Sequence, residues 1–212
     1  LLQLIEITPS LKLQCLGFMI GSAFFAVGSF APISAAIGSS ASNVLFFIGY
    51  WGFTTAAFIQ LQLSGPSRNE RGALRALWLA ASTQFVGTIL FNVSTGSAIY
   101  AESVISQEDL VWAPDAQGSV LFLVSGAFAL LALARVGRLW GPFDRDWLSN
   151  WVNMAGCVAF GVSAVAAVIT SAGGVENASL AAWTTFLGAV CFFVSSGLGL
   201  PEASEATSPA EG

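Results

Sequence analysis

A chain of 212 residues with 55% hydrophobic residues, 9% charged residues and a mean hydropathy of +0.76 lies outside the range of water-soluble domains. Its net charge is −5, and we expect no nucleic-acid partner. The chain has no His, which excludes imidazole metal sites, histidine-ligated haem and histidine acid–base catalysis.

Six apolar segments follow one another along the chain, each suited to a bilayer-spanning helix of about 20 residues. They lie near 11–33, 42–63, 74–98, 112–134, 148–171 and 180–200. The strands of a membrane barrel alternate apolar and polar residues, whereas the run from Val120 to Ala134 is apolar on every face. The sequence therefore predicts an all-α polytopic membrane protein with six transmembrane helices.

Each segment carries one copy of a motif: Gly, Phe four residues later, Val or Ile two residues after that, and then two small residues. The copies are Gly21-Phe25-Val27, Gly87-Phe91-Val93, Gly118-Phe122-Val124, Gly156-Phe160-Val162 and Gly188-Phe192-Val194, with a looser copy at Ser42-Phe46-Ile48-Gly49. Phe25, Phe91 and Phe160 are 66 and 69 residues apart, so a unit of two helices recurs in tandem.

The repeat predicts a single transmembrane bundle over 1–200, made of three tandem helical hairpins at about 11–63, 74–134 and 148–200. All three hairpins have the same orientation, because each contains an even number of spans. The remaining residues, 201–212, are rich in Glu, Ala, Ser and Pro, a composition typical of a disordered tail.

The motif is interpreted as a code for helix packing. At 100° per residue the Gly, the Phe and the first small residue fall on one stripe of the helix. In lipid, helices associate through close backbone approach at small residues, so a Phe on one helix can fill the notch at a Gly on its neighbour. The predicted packing residues are Gly21, Gly87, Gly118, Gly156, Gly188, Phe25, Phe91, Phe122, Phe160 and Phe192.

Two segments carry a family resemblance. Gly21-Ser22-Ala23-Phe24-Phe25-Ala26-Val27-Gly28-Ser29 and Gly188-Ala189-Val190-Cys191-Phe192-Phe193-Val194-Ser195 resemble the helices of YrhK-like membrane proteins, which are small domains built on one hairpin. The resemblance implies a hairpin unit and no particular activity. If the smaller members assemble as oligomers of one hairpin, the resemblance also implies that the three hairpins of this chain could form an equivalent bundle by themselves.

The positive charges predict the orientation. The seven Lys and Arg lie at Lys12, Arg68, Arg71, Arg75, Arg135, Arg138 and Arg145. With six spans, these positions are the N-terminal side and the second and fourth connections, which share one side of the membrane. The positive-inside rule therefore places both termini in the cytoplasm, and we expect a multi-pass protein of a bacterial plasma membrane.

The same arginines are candidates for binding lipid. Two basic clusters flank the third and fourth spans, where each charge near anionic headgroups is worth about 1 kcal/mol. The candidate headgroup-binding residues are Arg68, Arg71, Arg75, Arg135 and Arg138. Glu70, Asp144 and Asp146 lie among them and would partly offset the attraction.

Polar residues within the spans are the other candidates for a site. No Asp, Glu, Lys or Arg is expected well inside a span, which disfavours proton pumps and proton-coupled carriers. Gln84, Asn92 and Asn153 would line a polar cavity if the bundle forms one; otherwise their amides bond between helices.

These observations favour a non-enzymatic accessory or scaffold subunit that packs with a larger membrane complex, or self-associates, and binds membrane lipids without a cofactor or metal. The alternative is a small transporter or channel for a neutral or lipidic substrate. The two differ in where the motif faces: outward stripes imply a partner, and inward stripes imply a self-contained bundle.

Overall fold

The computed structural model describes residues 10–65, 71–142 and 144–201. The chain forms α1 (Leu11–Ser29), α2 (Ala31–Leu63), α3 (Ala73–Ser97), α4 (Val104–Arg135), α5 (Arg145–Ala166) and α6 (Ala178–Leu198). All six helices are long and apolar enough to span a membrane. The prediction of an all-α protein with six membrane-spanning helices is therefore confirmed. The predicted tail lies outside the described residues beyond Pro201.

The stretch between the first two predicted spans is itself helical, because α2 starts at Ala31. Pro32 stands in the first turn, where its missing N–H costs nothing. The path then kinks at Gly38, whose φ of 83° is a left-handed conformation that glycine adopts without strain. The first connection thus consists of a short helical stretch that joins the spanning part of α2 at the kink.

The expected connection at 99–111 is also partly helical, because α4 begins at Val104. Its first turns are wide: residues Gln107–Trp112 form a π-helix, and the N–H of Ala113 donates to the carbonyl of Glu108. Pro114 follows and has no N–H to continue the ordinary ladder. Because α4 begins eleven residues earlier, Asp115 lies within this helix rather than in a connection.

The three hairpins close into a ring. Helix α1 packs on α2, α3 on α4 and α5 on α6, while α2 contacts α3, α4 contacts α5 and α6 returns to α1. Each helix thus has two neighbours in the ring. The aromatic side chains of the motif fill its centre, where Phe25, Phe53, Phe91 and Phe122 are at most 3% exposed.

The two ends of the ring differ in charge. The arginine end is formed by the start of α1, the α2–α3 connection and the α4–α5 connection, with Lys12, Arg71, Arg75, Arg135, Arg138 and Arg145. The carboxylate end is formed by the other three connections and the start of α4, with Glu102, Glu108, Asp109 and Glu176 and no Lys or Arg. Positive-inside orientation would place the arginine end in the cytoplasm.

Cysteine labelling tests this orientation. Tyr100 at the carboxylate end and Trp140 at the arginine end are 81% and 80% exposed, which makes them a matched pair. In a variant without the three native cysteines, we expect Tyr100→Cys to react with a membrane-impermeant maleimide on intact cells. Trp140→Cys should react only after permeabilisation, and the reverse pattern would overturn the assignment.

Candidate functional site

Each hairpin is joined by a reciprocal exchange of Gly and Phe. A Cβ built on Gly21 would lie 2.6 Å from Phe53 Cδ2 and 2.7 Å from the carbonyl oxygen of Gly49, while one on Gly49 would lie 2.9 Å from Phe25. Gly87 and Gly118 face Phe122 and Phe91 in the same way, and Gly156 and Gly188 face Phe192 and Phe160. The ring of each helix thus fills the notch of its hairpin partner.

The exchange corrects the position of the motif in α2. The looser copy proposed at Ser42-Phe46 is out of register by seven residues, because the residues that exchange with Gly21 and Phe25 are Phe53 and Gly49. Thr55 occupies the Val position of this copy and is exposed, as are Val27, Val93, Val124, Val162 and Val194. The motif therefore has an inner face of Gly and Phe and an outer face of β-branched residues.

The six motif rings form a plug in two tiers. Phe53, Phe122 and Phe192 make one tier, with centroids 5.7 to 6.4 Å apart. In the other tier Phe160 lies 5.8 Å from Phe25 and 6.1 Å from Phe91. Tyr50 stands between Phe25 and Phe91, at 4.3 and 4.6 Å.

The rings of the plug meet at packing distances, so no open path crosses the centre. Edge-to-face and stacked ring pairs stabilise such an arrangement by about 0.5 to 1.5 kcal/mol each beyond area burial.

A polar cavity of about 320 Å³ opens between the plug and the arginine end. Phe53 and Phe192 form part of its wall, and Gln60, Gln84, Ser125 and others supply polar groups. The further polar lining residues are Gln14, Asp146, Ser149, Asn150, Asn153, Ser195 and Ser196. Asp146, the one carboxylate among the described lining residues, is paired with Arg138 at 3.2 Å.

A second cavity, of about 350 Å³, lies between the plug and the carboxylate end. Phe25, Tyr50 and Phe160 form part of its wall on the plug side. Among the described residues that line it, Asp115 is the only ionisable group besides Tyr50. Its other polar lining residues are Ser29, Ser34, Ser39, Ser42, Asn43, Ser94, Thr95, Ser163 and Thr185. The small residues at the ends of the motif in α1, α3 and α5 thus face this cavity.

The residue three positions before each motif Gly also faces a cavity. In α1, α3 and α5 these residues are Phe18, Gln84 and Asn153, and all three line the arginine-end cavity. In α2, α4 and α6 they are Phe46, Asp115 and Thr185, and all three line the carboxylate-end cavity. The tandem repeat therefore builds two three-membered rings of side chains around the axis, one on each side of the plug.

The three predicted cavity residues have different positions. Gln84 is 8% exposed and accepts a hydrogen bond of 3.3 Å from Ser125 within the arginine-end cavity, which Asn153 also lines. Asn92 lines neither cavity. Its amide donates to the hydroxyl of Thr54 at 2.5 Å and to the carbonyl of Thr88 at 3.0 Å, so it joins α3 to α2.

Several of the predicted headgroup arginines contact the protein itself. Arg138 pairs with Asp144 and Asp146, and Arg135 donates to the carbonyl of Gly72 at 3.0 Å. Arg75 lies over the ring of Trp78 at 5.6 Å, and Arg71 is exposed. Arg68 lies outside the described residues. Lipid binding at this end stays a prediction.

The sequence analysis did not identify Asp115, Tyr50 or the Gly49-Phe53 copy as part of the site. Two signals could have found them: Asp115 precedes Gly118 by three residues, and Gly49 precedes Gly118 by 69 residues, close to the repeat length. Within the described ranges, no three His, Cys, Asp or Glu side chains converge to hold a metal ion. No protein-family model, curated protein or solved structure matches this chain.

Proposed function

We propose that this chain is a small transporter or channel that passes a small polar solute, without negative charge, along the axis of the helix ring. One observation carries the proposal: two cavities with polar side chains in their walls lie on opposite sides of an aromatic plug. Each is joined to a different end of the bundle. Polar side chains buried inside a membrane-spanning bundle cost free energy that an apolar core would not. Their presence around two cavities therefore points to a function.

The cavities favour a small solute that forms hydrogen bonds. A volume of 320 to 350 Å³ equals roughly ten water molecules at about 30 Å³ each, room for a solute of a few heavy atoms. The walls present amide and hydroxyl groups, and none of the described lining residues is Lys or Arg. An anion would therefore find no countercharge in either cavity.

The plug supplies the barrier of such a device. Apolar constrictions in membrane proteins close a path by excluding water, and passage requires the side chains to move apart. Here six Phe rings and Tyr50 separate the cavities, and each ring is held by a Gly notch in the partner helix. Small shifts of one helix against another would change how the rings meet.

The inward orientation of the motif supports transport over the accessory role expected first from the sequence. All six Gly–Phe notches are used within the chain, which leaves none to pack with a partner. The outward motif positions carry Val27, Val93, Val124, Val162 and Val194, a surface suited to lipid chains. The resemblance to YrhK-like hairpins is compatible with this role and does not specify a solute.

Solute-driven swelling of proteoliposomes tests the proposal. We expect liposomes with the purified chain to swell faster than protein-free liposomes in small uncharged solutes such as glycerol or formamide. Asn153→Trp fills the arginine-end cavity and should reduce the protein-dependent rate several-fold. Stopped-flow light scattering gives the rates.

The matched control is Val158→Trp, which places the same side chain on the outward face of the same helix, where Val158 is 48% exposed. This variant should swell at the unaltered rate. Equal rates for protein-containing and protein-free liposomes across a series of solutes would overturn the proposal, as would equal losses in the two Trp variants.

A further inference from the structure

We propose that the carboxylate-end cavity is a binding site for small primary ammonium ions, with Asp115 as the countercharge. This inference rests on the proposed function, because it names the class of solute that enters the axis at that end. Four features of the cavity carry it: an unpaired carboxylate, walls rich in hydrogen-bond acceptors, aromatic groups, and the field at its mouth.

Asp115 has no internal countercharge. The structure shows no hydrogen bond or ion pair to its carboxylate from any described residue, and no Lys or Arg lies between Arg75 and Arg135 in the chain. Asp146, the carboxylate of the other cavity, pairs instead with Arg138. A carboxylate inside a membrane-spanning segment ordinarily faces a partner or an ion path. Since Asp115 faces a cavity, the cavity is where its partner would bind.

Three of the hydroxyl groups around this cavity present acceptors to it. Ser29 donates its proton to the carbonyl of Phe25 at 2.6 Å, Thr95 donates to that of Phe91 at 2.8 Å, and Ser163 lies 3.0 Å from the carbonyl of Ala181. Because these protons are engaged with backbone carbonyls, the three oxygens have only lone pairs left for a ligand. An ammonium group has three donors and no acceptor, which complements such a wall.

Aromatic groups complete the enclosure. Tyr50 is 2% exposed, and its hydroxyl has no hydrogen-bond partner among the described residues. The rings of Phe25, Phe46 and Phe160 also line the cavity. Aromatic faces attract ammonium ions and also accept their alkyl groups, whereas they would add nothing for an anion.

The mouth of the cavity concentrates cations. Glu102, Glu108, Asp109 and Glu176 are exposed at this end, and its connections carry no Lys or Arg. Carboxylates of one sign around a low-dielectric opening raise the local concentration of counter-ions and hasten their entry. The field and the site therefore select the same sign of charge.

Saturation-transfer NMR on the full chain in nanodiscs tests the site, with ethylammonium as the probe and ethanol as its neutral analogue. In a mildly alkaline buffer that leaves ethylammonium charged, we expect transfer to ethylammonium well above that to ethanol. Asp115→Asn should weaken ethylammonium binding at least tenfold. Tyr50→Phe, which keeps the ring, should weaken it a few-fold. Gln117→Ala shortens an exposed side chain of the same helix that does not line the cavity, and should leave binding within twofold.

The proposed site would be rejected if the wild type and Asp115→Asn bound ethylammonium equally. It would also be rejected if the wild type showed no saturation transfer to ethylammonium. Swelling with uncharged solutes, measured on the same variants, tests the proposed transport function independently of the ammonium site. Swelling without Asp115-dependent binding would leave transport standing and reject the ammonium site. Asp115-dependent binding without swelling would keep the site and reject transport.

Discussion

Gly21→Leu is expected to destabilise the folded bundle by about 3 kcal/mol, the upper range for overpacking a close-packed interior. A Cβ at this position would lie 2.7 Å from the carbonyl oxygen of Gly49 and 2.6 Å from the ring of Phe53. The first neighbour is backbone and cannot turn away, so α1 and α2 would have to separate. Unfolding by denaturing detergent, followed by circular dichroism, measures the loss.

Ala23→Leu is the matched control, because it adds the same side chain two residues later on the exposed face of α1. Substitutions on such a surface change stability by no more than about 0.5 kcal/mol. If both variants lost the same stability, the Gly–Phe exchange would not be what holds the first hairpin together.

Trimming the plug is expected to raise solute permeability several-fold. Phe122 contacts both tiers, with ring centroids 5.0 Å from Phe91 and 5.8 Å from Phe192. Phe122→Leu should raise the swelling rate, and Phe122→Ala should raise it further, because a shorter side chain leaves a wider and more easily wetted gap between the cavities. Proteoliposome swelling measures the rate.

The stability of these variants has to be measured beside their permeability, since Phe→Ala in a core costs about 3 to 5 kcal/mol. Phe58→Ala is the control: it removes a ring of α2 that is 47% exposed and should leave swelling unchanged. A folded Phe122→Leu protein with wild-type permeability would show that the plug is not the barrier.

The number of helices and their pairing into hairpins follow from the sequence because they depend on local properties. Apolar length decides whether a segment can span lipid, where a helix satisfies its own backbone hydrogen bonds. The grouping of Lys and Arg marks one end of the bundle in the same direct way. Helix boundaries were less predictable: Ala31 and Val104 begin helices within expected connections, since Pro32 and the capping Ser103 allow early starts.

The sequence located the Gly–Phe motif correctly in five helices, but its copy in α2 was assigned seven residues too early. In α2 the residue six positions after Gly49 is Thr55, so the local pattern fails, and Phe46 with Ile48 matches it better. Only packing against α1 shows that Phe53 occupies the notch at Gly21. The repeat spacing also indicates Gly49 as the motif glycine of α2, since Gly49, Gly118 and Gly188 are 69 and 70 residues apart.

The sequence by itself determined a membrane-spanning all-α chain of three repeated hairpins with one basic end. Tertiary structure alone decided which face of each helix points to the axis, and with it the plug, the two cavities and the place of Asp115. The reason is physical: in lipid both faces of a helix are apolar, so hydrophobicity does not distinguish inside from outside. Close contact does, because only the inner face carries glycines that let a ring approach within van der Waals distance.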